Sequence, residues 1–170
     1  MDDFSRTILK EHLPVDKEVL PSAAGRHGQK ADQLDHLSLA VLLERAAFLR
    51  KLAALGDGSA SETLKEYPQH AIMLLFRGRS GFAELHENFA DLFFVLEGRA
   101  ALVTGGILSN AKTTAPGEIR GDAVHDGVRQ ELRAGDVAHV PAGLPHQMLV
   151  AGDQSVVCLV MKIQQNVLQE

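Results

Sequence analysis

Gly135-Asp136-Val137-Ala138-His139-Val140-Pro141-Ala142-Gly143-Leu144-Pro145-His146 is the stretch on which the reading of this chain turns. Val137 to Val140 is short, apolar and bounded by turn residues, which predicts a strand. Pro141-Ala142-Gly143 then predicts a tight turn, because proline fixes its own φ and glycine tolerates the left-handed conformation. His146 follows that turn and opens a distant strand.

The same texture extends outward. Ala71 to Phe76, Ala83 to Leu85, Leu92 to Leu96, Ala100 to Val103 and Val156 to Ile163 are short runs rich in Val, Leu, Ile and Phe, broken by Gly, Asn, Asp and Pro. Many short strands with turn signals predict an all-β sandwich or barrel. Upstream, Leu34, Leu37, Val41, Phe48, Leu52 and Leu55 recur at helical steps, with Asp32 as N-cap and Gly56 as stop. Gly56 to Ser61 reads as a loop. Residues 1–66 are thus expected to form an N-terminal arm and a helix packed on the barrel, and residues 67–170 the barrel itself. A polar insert at about 105–134 carries Lys112, Glu118, Arg120 and Arg129. It reads as a long hairpin or lid, a solvated loop by default and a source of substrate-binding charge in the sharper reading.

The bulk composition narrows the function classes. A chain of 170 residues holds one domain with a sizeable core. Its formal net charge is −5, which argues against a nucleic-acid partner. Aromatic residues make up 5% with no Trp, too few for a stacking surface. Cys158 is the one cysteine, so neither an internal disulfide nor a cysteine-based zinc site is expected. Its apolar neighbours mark it as a buried, inert thiol. The most apolar helical stretch, Leu37 to Leu49, is interrupted by Glu44 and Arg45, so no membrane span is expected. The acidic Asp2 and Asp3 do not suit a secretory signal. A cytoplasmic location is expected, with a removed leader left open.

The quoted stretch has a skeleton of Gly135, five residues, Pro141, one residue, Gly143, two residues, His146. This spacing resembles the second motif of the cupin superfamily. That motif continues to an Asn, where this chain has Val150. The first cupin motif is matched in spacing by Gly78, Glu84, His86, Asp91 and Gly98, although Glu84 stands for its first His and Asp91 for its Glu. A register starting the pair at His86, with Asn88 second, leaves Asp91 one residue too close.

The resemblance implies a double-stranded β-helix (jelly-roll) barrel, an N-terminal α-helix outside it, a homodimer, and one divalent metal ion (Fe, Mn, Zn or Ni) held by Glu84, His86, Asp91 and His146. Strand alternation agrees, since Glu84 and His86 are two apart and share a face. Asp91 is shorter than Glu by about 1.5 Å of reach. It binds directly, binds through water, or orients a ligand. Without it, two His and one carboxylate still make a facial triad. Met148 and Val150 are the expected pocket walls, and His139 is a further pocket candidate. His12, His27, His36, His70 and His125 receive structural roles. Two functions follow as expectations. One is a metal-dependent enzyme of the oxygenase, isomerase or decarboxylase type acting on a small oxygen-rich or carbonyl substrate. The other is a non-catalytic small-molecule binding or sensing module.

Overall fold

The computed structural model describes residues 36–165. The arm, the Asp32 cap, Leu34, His12 and His27 lie outside them. Helix α1 (Leu39–Leu55) leads into strands β1 (Ser59–Glu66), β2 (His70–Arg77), β3 (Ala83–His86), β4 (Phe89–Thr104), β5 (Ile107–Leu108) and β6 (Lys112–Ala115). Strands β7 (Glu118–Gly121), β8 (Val124–His125), β9 (Val128–Arg133), β10 (Val137–Val140), β11 (His146–Leu149) and β12 (Val156–Gln164) follow. All pairings are antiparallel, with the order β1-β2-β12-β4-β11-β3-β7-β6 along the main sheet. The fold is an all-β jelly roll with one helix outside it, as expected.

Strand β4 creates the curl. Leu92–Leu96 and Ala100–Val103 are parts of this one strand rather than two. Its first half, through Gly98, pairs with β12, and its second half, from Arg99, pairs with β9. Gly98 lies where the halves meet at φ +76, and a Cβ there would lie 2.0 Å from the Ser155 carbonyl oxygen. Only glycine permits both that backbone conformation and that approach.

Two apolar cores result. The barrel interior is filled by Phe93, Val95, Leu102, Val140, Met148, Cys158 and Val160. A second core lies between α1 and the outer sheet face, where Leu42, Ala46, Leu49 and Ala53 meet Leu64, Leu74, Phe76 and Val157. Burying a leucine-sized side chain contributes about 1.5–3 kcal/mol, so the helix is anchored chiefly by this stripe. Arg45 also donates to both carboxylate oxygens of Glu62 on β1.

Three expectations need correction. The helix begins at Leu39, capped by Ser38, whose Oγ accepts from the Val41 amide. Its buried face is also not the expected one, because Val41, Leu52 and Leu55 are exposed. The helix is apolar on more than one side, and alanines at 46 and 53 permit closer approach to the sheet. Second, half of the expected loop at 56–61, from Ser59 on, belongs to β1, where every residue but Leu64 is at least partly exposed. A strand at the rim of a sheet carries no apolar run to betray it. Third, residues 105–134 are more than a solvated loop: they include the β6–β7 hairpin, β7 pairs with β3 and β9 with β4, while β5 and β8 form a separate two-stranded sheet. No helix among the described residues is long and apolar enough to cross a membrane.

Candidate metal centre

Two turns bring the expected ligands together. Strand β3 projects Glu84 and His86 from one face, and its Glu84 lies opposite His146 on β11. Gly143, at φ +77, donates its amide to the His86 carbonyl at 2.8 Å. The turn before His146 is therefore fastened to the strand bearing His86. One ligand atom from each of Glu84, His86 and His146 lies within 4.8 Å of the others.

Both imidazoles are oriented from behind. His86 Nδ1 lies 2.5 Å from Glu118 Oε2, and His146 Nδ1 lies 3.2 Å from the Leu144 carbonyl oxygen. Carboxylate and carbonyl oxygens only accept, so each Nδ1 carries a proton and donates it. Each Nε2 is then the free end. Both Nε2 atoms are buried and have no hydrogen-bond partner. They lie 3.3 Å and 3.4 Å from one oxygen of Asp91, Oδ2, in contacts of charge rather than aligned hydrogen bonds. The other Asp91 oxygen is 3.1 Å from Lys162 Nζ. Asp91 therefore faces both imidazoles, which suits a fourth ligand or an orienter.

The local field calls for positive charge. Burial works against a charged His86 ring, but contacts with Asp91 and Glu118 outweigh it and raise its pKa to about 9. Burial likewise works against an ionised Asp91. Its contacts with His146 and His86, together with the charge of Lys162, nevertheless hold it well below the usual carboxylate range. Two buried, orphaned imidazole nitrogens beside carboxylates fit a divalent cation, because imidazole nitrogen and carboxylate oxygen are ordinary ligands for Fe, Mn, Zn and Ni. A histidine tied through its far nitrogen to a carboxylate is the usual support behind such a ligand.

The expected pocket residues divide. Met148 is buried in the barrel core, and Val150 packs against that core. His139 does not join them. On β10 it is Ala138 and Val140 that face the core, so alternation turns His139 outward, where it is exposed. Sequence reasoning missed Lys162, and it named Glu118 only as a charge of the polar insert, not as the partner of His86. Glu118 sits opposite His86, a register no local pattern reveals. Lys162 was findable, because it shares strand parity with Cys158 and Val160 in an otherwise apolar run and so faces inward.

The comparisons with known proteins agree on the fold. Residues 117–162 match the Cupin domain family, a span containing the Gly-Pro-Gly-His skeleton. The protein TT1209 of Thermus thermophilus superposes with a TM-score of 0.51 at 17% identity, over 73% of this chain and 95% of its own. A cupin superfamily protein of Desulfitobacterium hafniense gives a TM-score of 0.46 at 19% identity, over 67% and 88%. A predicted oxalate decarboxylase of Thermotoga maritima gives 0.47 at 15%, over 63% and 81%. Of these, the TT1209 superposition bears on the fold, and on the fold alone. No curated protein sequence matches. The jelly roll gathers two imidazoles and a carboxylate, Glu84, His86 and His146, that could hold a metal ion. The chain thus has a cupin-type fold, and the match to the Cupin domain family covers its residues 117–162.

Proposed function

We propose that this cupin holds one divalent metal ion on Glu84, His86 and His146, with Asp91 as fourth ligand or orienter. In this reading it is a metal-dependent enzyme of the oxygenase, isomerase or decarboxylase type, acting on a small oxygen-rich or carbonyl substrate. The observation that carries the reading is the pair of buried Nε2 atoms, each left free because the same ring's Nδ1 is already engaged. Polar atoms of this kind are costly to bury unless something meets them.

When bound, the ion supplies Lewis acidity, and iron would add redox chemistry. The chain's own residues do the rest. Glu118 fixes the His86 ring and Leu144 the His146 ring. Lys162 holds one oxygen of Asp91, leaving the other toward the imidazoles. Met148 and Val150 form an apolar wall that limits water. The fold does not select the reaction. A homodimer belongs to the same proposal, supported by Leu39 and Val41, which project from α1 into solvent and would gain from cover.

A second reading, a non-catalytic binding or sensing module, draws on the changed motif: Glu84 for His, Asp91 for Glu and Val150 for Asn. Elemental analysis of the purified protein, beside a His86→Ala, His146→Ala variant, tests the shared metal claim. Metal present in the wild type and lost in the variant supports it; retention in the variant overturns the ligand assignment. Oxygen uptake with Fe(II), or turnover of small hydroxy and keto acids, then separates enzyme from binder.

A further inference from the structure

One row of side chains crosses four strands beside the candidate metal centre. His146 lies opposite Glu84, Glu84 opposite Arg120, and Arg120 opposite Lys112. Directly opposed residues of antiparallel strands project from the same face, with Cβ atoms about 4.5–5.5 Å apart. The row therefore starts at the proposed ligands and steps outward to two cations. Lys112 is exposed, and the Arg120 side chain is 44% exposed.

Arg120 is not locked in place. Its Nη2 lies 3.2 Å from Glu84 Oε1, a single contact to a carboxylate that the metal reading assigns to the ion. An ion pair this exposed contributes about 0–1 kcal/mol, so redirecting the guanidinium costs little. The surrounding charges also favour an anion. Three carboxylates (Glu84, Asp91 and Glu118) are offset by three cations (Arg120, Lys112 and Lys162). A bound divalent ion then leaves the site with surplus positive charge.

We propose that the site selects a small carboxylic acid carrying a second oxygen donor, a hydroxy, keto or further carboxylate oxygen. One oxygen faces the ion and a carboxylate meets Arg120, while Lys112 draws the anion inward. This rests on the metal reading above and deepens it. A guanidinium suits the role because its planar fork matches two carboxylate oxygens at once.

Malonate and its neutral diamide, malonamide, test the proposal on the full chain loaded with Co(II), read by calorimetry and by the visible Co(II) bands. The Co(II) titration comes first and stands alone: a wild type that takes up no ion fails the metal reading. With the ion bound, malonate should bind and shift the bands, and malonamide should bind at least about tenfold more weakly. Arg120→Ala should weaken malonate by about tenfold or more with Co(II) uptake and melting temperature kept, and Arg120→Lys should restore part of the loss. Lys112→Ala should slow malonate association more than it speeds release, increasingly so at low salt. Malonate that fails to bind the Co(II) protein, malonamide that binds equally, or an Arg120→Ala variant that binds malonate as tightly as wild type would each overturn the inference while leaving the metal reading intact.

Discussion

The amide of Gly143 donates to the carbonyl of His86 over 2.8 Å, so the turn that launches His146 hangs from the strand that carries the other imidazole. Gly143 holds φ +77 with open space where a Cβ would go. Gly143→Ala should therefore cost about 1–2 kcal/mol through backbone conformation alone, read by denaturant unfolding. Metal affinity should fall with it, since the two ligand segments lose their fixed relation. A variant with unchanged stability would show that the turn is not held as described.

Glu118 stands behind His86 at 2.5 Å. Glu118→Ala should leave the fold intact and lower Zn(II) affinity by about 10–100-fold in a chelator competition. Glu118→Gln retains an acceptor for the Nδ1 proton and should lose less. Equal affinities in all three proteins would remove Glu118 from the site.

In the metal-free protein the His86 pKa is raised to about 9 from 6.5. Ion binding at neutral pH must displace a proton, so apparent affinity should climb as pH rises toward 9. Calorimetry in buffers of differing ionisation enthalpy should register the release. The sign for stability is opposite. A raised folded-state pKa stabilises the metal-free fold fully below pH 6.5, and that contribution fades as pH rises through 9. The metal-loaded protein should not show this loss, because its His86 is already without the second proton. Thermal melts across pH 6–9.5, with and without Zn(II), would contradict the assignment if the two curves ran parallel.

Leu49 is buried against the sheet while Leu55 is 75% exposed. Leu49→Ala should cost about 2–5 kcal/mol and Leu55→Ala less than about 0.5 kcal/mol in the same unfolding assay. The reverse order would mean that α1 presents its other face.

Cys158 is fully buried, and burial pushes its thiol up to about 12 despite the opposing charge of Arg77. A thiol reagent should leave the folded protein unlabelled at pH 8 and react promptly in denaturant. Rapid labelling of the folded form would place Cys158 at the surface.

Much of the barrel was legible because its inner strands carry apolar runs that local physics can read. Val137–Val140 and Val156 onward are of this kind, and the glycine and proline spacing before His146 added the fold. What escaped was written in pairing rather than in local pattern. Strand β1 and strands β6 to β9 are polar enough to pass for loops, since one side of each meets water. Which partner each would find is a long-range fact. The role of Glu118 was hidden for the same reason, as it becomes visible only when β7 is laid beside β3. The helix failed differently. Its residues are apolar around most of the circumference, so periodicity named a helix but not the side that packs. His139 shows how a turn spoils parity, because counting across Pro141 gives no valid face.

The unbroken passage of β4 through Gly98 also has a mechanical outcome. A strand woven into both sheets acts as a selvedge, and the halves cannot part along it without tearing the ladder to β12 or the one to β9. Opening the molecule like a book is thereby forbidden on that border.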